Sequence, residues 1–223
     1  MLKESSLPKG CSPLGEKERD FNREVIMYKK QMKIQKAVCP LVLAASVIVF
    51  LYALGIMTDL YESLYFTIRN PENPARNPVA GALIYYDMQG FNKQFLHVGI
   101  GLILASLLLF ITSTHVRRRY YVGNVVAVAV NAAANVAAAV WAGAQIAAFK
   151  AQYLSEVDFE ALRDFASKRN TYYTDSTFWF DIHTLVFGIA IAANVLLIAN
   201  LIWKFSLMKQ EKELLEAGKG AAA

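Results

Sequence analysis

Four long runs of this chain carry no Asp, Glu, Lys or Arg, and nothing else in the sequence restricts its folding as much. They cover residues 37–58, 94–114, 122–149 and 182–203. A helix needs about 20 apolar residues to cross the hydrocarbon of a bilayer, and each run is long enough. Inside lipid every backbone polar group must be paired within its own segment, so runs of this kind become helices. The sequence predicts an all-α polytopic membrane protein: a four-transmembrane-helix bundle with cytoplasmic N- and C-terminal helical extensions. Composition agrees. Charged residues make up 18% of the chain, against about a quarter in soluble domains, and the mean hydropathy is +0.31.

Basic residues set the orientation, because cytoplasmic loops are enriched in Lys and Arg. Residues 1–36 hold nine, 59–93 three, 115–121 three, 150–181 four and 204–223 four. Placing both termini inside puts 16 on the inner side and 7 on the outer. The sharpest signals are Lys29, Lys30, Lys33 and Lys36 before the first span, and Arg117, Arg118 and Arg119 between spans two and three. The net charge of +5 thus reads as topology and attraction to anionic lipid headgroups. No basic stripe interleaves with aromatics on a soluble module, which argues against nucleic acid.

The expected organisation is a cytoplasmic tail and amphipathic helix over 1–36, a membrane domain over 37–203, and a cytoplasmic helix and tail over 204–223. Phe21, Val25, Tyr28 and Met32 share one face of the first extension. Pro40 predicts a kink or restart near the start of span one, and Gly218 a stop for the last helix. The first apolar run follows a polar segment and reads as an uncleaved span rather than a signal peptide. The outer segments, 59–93 and 150–181, contain no cysteine and no Asn-x-Ser/Thr sequon. That fits a bacterial inner membrane or an organelle membrane.

Within the first outer segment, "NPENPARNP" excludes a regular helix. Within the second, Val157, Ala161, Leu162 and Phe165 predict a short amphipathic helix, with the acidic Glu156, Asp158, Glu160 and Asp164 as its solvated face. Tyr61, Tyr65, Tyr85, Tyr86, Tyr153, Tyr172, Tyr173 and Trp179 read as an aromatic belt. A weak repeat pairs "YYDMQGFNKQFLH" (85–97) with "YYTDSTFWFDIH" (172–183), as if a two-span hairpin had been duplicated.

Span three has twelve alanines in residues 122–149. Small residues let helices approach closely in lipid, which predicts a central position for this span, ringed by the bulkier three. At about 100° per residue, Asn124, Asn131 and Asn135 form one stripe, with Gln145 about 60° to its side. Asn194 on span four is the expected partner. Such amides either bond across helices or line a path for a solute. No ionised residue lies mid-membrane, as a proton- or ion-coupled transporter usually requires.

His97 and His183 each sit about one turn into a span of the same direction, so they share a depth. Two imidazoles from two helices are the donor set of a b-type haem, with Gly99, Gly101 and Gly188 as room for the macrocycle and Lys93, Arg76 or Arg169 for its propionates. A zinc or copper site would add Asp181 but lacks further ligands. His115 reads as a loop residue. No phosphate loop, nucleophile elbow or intramembrane carboxylate pair is present.

Three functions follow as expectations. The first is a non-enzymatic integral membrane protein, either a subunit or accessory component of a larger membrane complex or a self-assembling homo-oligomer, with the bilayer and a protein as partners. The second is a haem b cytochrome in quinol-linked electron transfer. The third is a channel or small-solute transporter lined by span three.

Overall fold

The computed structural model describes residues 13–113 and 121–220; side chains of residues 13–26, 28, 121–123, 211, 214, 215 and 217–220 are not described. Its regular structure is all helical, with no strand among the described residues. In chain order the helices are α1 (Pro13–Gly55), α2 (Thr58–Ser63), α3 (Ile84–Ser113), α4 (Tyr121–Glu156), α5 (Phe159–Arg169), α6 (Phe178–Asp181) and α7 (His183–Gly220). Four stretches are long and apolar enough to cross a membrane: Lys29–Thr67, Ile84–Ser113, Asn124–Glu156 and Phe178–Gln210.

The chain divides into two compact units. The larger, Lys36–Ile198, holds the bundle. Its aliphatic exterior is what lipid requires: Leu51, Leu54, Leu104, Ile111, Leu185 and Val195 are all more than half exposed. The smaller unit joins the residues up to Gln35 with those from Ala199 onward. Its core is polar. Gln31 Nε2 donates to Gln35 Oε1 at 3.0 Å and to Asn200 Oδ1 at 3.4 Å, and Gln31, Gln35, Asn200 and Lys204 are all buried.

Several expectations change. α1 does not restart at Pro40 but runs through it as one helix, because Pro removes a single donor and a helix can re-pair around it. α7 continues through Gly218 to Gly220. Phe21, Val25 and Tyr28 lie on side chains outside the described set, as do His115 and Arg117–Arg119 on residues outside it. The tyrosine repeat has no common structure. Residues 85–97 are helical within α3, whereas 172–177 are non-helical and lead into the four-residue α6.

At one end of the larger unit, two connections fold over the helices. The Asn-Pro segment is held by its own asparagines. Asn77 Oδ1 accepts from the backbone of Arg69 and Asn70, both at 2.9 Å, and Asn70 Oδ1 from those of Glu72 and Asn73. Short amides mimic a backbone turn in this way. α5 is capped by Asp158, whose carboxylate accepts from Ala161 N at 2.9 Å, and it ends at Asn170 in the left-handed region, φ 52°. It buries Leu162 and Ala166. Gly81 has φ +73° and lies directly against the Glu156 carbonyl. A side chain fits neither that angle nor that gap, which explains a glycine there.

Candidate functional site

The amide stripe forms, and its buried face is fixed by α4's own periodicity. Asn124, Asn131 and Asn135 are buried together with Ala127, Val128, Ala138, Ala142 and Ile146. Their partners are serines on other helices. Asn131 Nδ2 donates to Ser106 Oγ of α3 at 3.0 Å, and Ser106 lies 2.8 Å from Ser46 Oγ of α1. Ser46 donates its own hydrogen to Val42 O at 3.0 Å, so Ser106 is the donor between the two hydroxyls. Asn135 Nδ2 donates to Asn131 Oδ1 at 3.0 Å. About two turns away along the bundle, Asn124 Nδ2 donates to Ser113 Oγ at 2.7 Å. The first layer thus ties α1, α3 and α4 together, and the second ties α3 to α4.

Asn194 is not part of the seam. Its Nδ2 donates to Ala190 O of its own helix at 2.8 Å, and its buried Oδ1 has no partner. Gln145 is exposed. Phe91 meets both Trp141 at 5.3 Å and Phe149 at 5.6 Å between ring centres, which levels Gln145 with Phe91 near the start of α3 and away from the seam.

Above the seam lies an aromatic layer to which every long helix contributes. Tyr52 of α1 meets Phe95 of α3 at 5.9 Å and Phe187 of α7 at 6.4 Å, and Phe95 meets Trp141 of α4 at 6.4 Å. Edge-on pairs of this kind add to the area they bury. Tyr52 is anchored further by a 2.8 Å bond to Trp179 O. Sequence reading assigned aromatics to a belt and missed this layer. Tyr85 and Tyr153, assigned to the belt, are instead buried, and Tyr153 bonds Thr174 O at 3.2 Å. Tyr61, Tyr65, Tyr86 and Tyr172 are exposed as a belt demands.

His97 and His183, the candidate haem ligands, each bond a nearby backbone carbonyl. His97 is exposed on α3 and its Nδ1 bonds Lys93 O of the same helix at 2.7 Å. His183 Nδ1 bonds Phe180 O, and its ring lies against Phe187. A carbonyl only accepts, so both imidazoles carry a proton on Nδ1. No described contact joins the two rings. A methyl group at Gly99 would sit 3.2 Å from Phe50 Cα, while Gly101 and Gly188 face open space. Asp181 is engaged by Lys150 at 2.5 Å and Thr177 at 2.7 Å. Among the described residues no group of three or more His, Cys, Asp or Glu is placed to hold a metal.

α4 is not ringed by the other helices. A third of its most apolar window is buried, against 44% for α1. Val126, Ala129, Val130, Ala133, Val136, Ala137, Val140 and Ala144 form a second face, all exposed. Alanine count marks a helix as fit for close packing on any side but does not say which sides the fold uses. Lys29, Lys30, Lys33 and Lys36 are exposed, as headgroup contact would need.

Fold and site together define a class: an all-helical chain whose four long apolar helices suit a membrane, knitted by a buried amide–hydroxyl seam. Known proteins narrow this no further, for no family model, curated protein or solved structure matches the chain.

Proposed function

We propose that this is a non-enzymatic integral membrane protein that acts by assembling, as a subunit of a larger membrane complex or with copies of itself, through the exposed face of α4. The supporting observation is a contrast in side-chain size. Where α1, α3 and α7 face outward they present mainly Leu, Ile and Phe, with Val195 on α7. Where α4 faces outward it presents Val126, Val130, Val136 and Val140, 50–68% exposed, with exposed alanines between them. Lipid alone gives no reason for that difference, whereas helix packing in lipid favours small residues. The seam fits the same reading. Its amides donate to Ser106 and Ser113 as structural bonds, which leaves them less available as the polar lining of a conduit. In this reading the termini lie in the cytoplasm, with Lys29, Lys30, Lys33 and Lys36 at the inner headgroups.

Photo-crosslinking in native membranes tests this. A benzoylphenylalanine at Val136 or Val140 should capture protein, identified by mass spectrometry as a second copy or another subunit. The same probe at Leu104 of α3 should capture only lipid. Lipid adducts alone from all three positions would overturn the proposal.

A further inference from the structure

The smaller unit is held together by a core unlike that of the bundle. Among its described residues, those buried are Gln31, Met32 and Gln35 of α1 and Asn200, Lys204 and Leu207 of α7. Only Met32 and Leu207 are apolar, so little of the burial that drives helices together is available here. Hydrogen bonds replace it poorly, because each bond between side chains gives up bonds to water. Across the two helices, Gln31 Nε2 reaches Asn200 Oδ1 at 3.4 Å, beyond the usual range for such a bond. Its other bond, to Gln35 Oε1, stays within α1. Gln31 Oε1 is fully buried and accepts nothing among the described residues, and Lys204 carries its ammonium group out of water. Both are costs of burial, and both are relieved when α1 and α7 part and water enters. The seam in the bundle is the opposite case. Its interhelical amide bond is 3.0 Å, and its hydroxyl chain ends on a carbonyl. α1 also has a place to bend. Pro40 has no N–H to give the Lys36 carbonyl, one residue past the end of the smaller unit's α1 segment, and a missing rung is where helices kink.

We infer that the smaller unit is a clasp. Its α1 segment, up to Gln35, and its α7 segment, from Ala199, part as a pair and expose Gln31, Gln35, Asn200 and Lys204 to water, while Lys36–Ile198 stays folded. The inference rests on the placement of both termini in the cytoplasm and is independent of how α4 assembles.

Hydrogen–deuterium exchange of the full chain in lipid nanodiscs, read by mass spectrometry, tests it. Residues 29–35 and 199–208 should exchange about tenfold or more faster than residues 42–53 and 186–197 of the same two helices. Gln31→Leu/Asn200→Leu, which gives the clasp an apolar core, should slow both end segments together, by about tenfold or more. Met32→Ala should speed exchange in 199–208 as well as in 29–35, although the change is on α1 alone. That coupling separates a clasp from two ends fraying independently. End segments exchanging as slowly as 42–53, a response to Met32→Ala confined to 29–35, or no slowing by the leucine pair would overturn it. The placement is read separately. In a Cys11→Ser background, Ile34→Cys, at an exposed position, should react with a water-soluble maleimide. An unreactive Ile34→Cys would overturn the placement and the clasp with it, whereas a reactive one with slow exchange would overturn the clasp alone.

Discussion

Asn131 of α4 donates to the hydroxyl of Ser106 on α3 at 3.0 Å, and Ser106 passes the chain on to Ser46 of α1. A single amide thereby fixes the register of three helices. The bond ends on the Val42 carbonyl, so no member is left needing water. Interhelical hydrogen bonds in membranes contribute only about 0.6 kcal/mol on average, because the separated helices also find partners. Their larger effect is the cost of every register that leaves an amide unpaired.

Asn131→Leu should lower stability by about 1–2 kcal/mol, since it removes the bond to Ser106 and one of the two acceptors of the Asn135 amide, which keeps its 2.9 Å bond to the residue-131 carbonyl. Unfolding by SDS titration from mixed micelles reads this. With Ser106→Ala the loss should be less than additive, by about 0.5 kcal/mol or more, as for residues in one network. Strictly additive losses would mean that the two side chains do not interact.

The glycines of α3 should separate cleanly. A methyl group at Gly99 meets Phe50 Cα at 3.2 Å, where neither backbone can yield alone, while one at Gly101 meets nothing. Gly99→Ala should therefore destabilise by about 1–3 kcal/mol through overpacking. Gly101→Ala should be neutral or gain up to about 1 kcal/mol from helix propensity. The same titration measures both; equal effects would mean α1 and α3 do not approach closely at this level.

Asp158 caps α5 and so holds the buried Leu162 and Ala166 over the bundle end. Asp158→Ala should cost about 1 kcal/mol and raise amide hydrogen exchange in residues 159–169. Glu160→Ala, one residue into the exposed face, should leave exchange nearly unchanged. Equal exchange in the two variants would remove the cap from the account.

What the sequence made legible follows from the range of its signals. Hydropathy is local, so the four apolar helices were readable. So was the burial of Asn124, Asn131 and Asn135, since a 3.6-residue period fixes which residues share a face. The facing partner is not a local property. Ser46 and Ser106 are single serines in apolar runs and Ser113 sits between two threonines, and nothing near them in sequence marks them as the seam. The polar pairs Gln31/Gln35 and Asn200/Lys204 did carry a signal, a spacing of four on each helix. The tyrosine repeat misled because composition was matched without conformation: Thr174, Asp175, Ser176 and Thr177 break the second copy's helix by competing for its backbone, and the first copy has no such run.

Asn194 supplies the sharpest contrast with the seam. It is as buried as Asn135, yet it donates only to Ala190 O and its Oδ1 bonds nothing. A buried acceptor without a partner carries its desolvation cost uncompensated, about 1–3 kcal/mol. Asn194→Leu should therefore be neutral or stabilising, where Asn131→Leu is destabilising, although the two changes are chemically identical. Leucine is larger than the cavity left by asparagine by little, so overpacking should not reverse the sign. Measured side by side in SDS titrations, a loss at Asn194 equal to that at Asn131 would show that its carbonyl has a partner and that the seam reaches α7 after all.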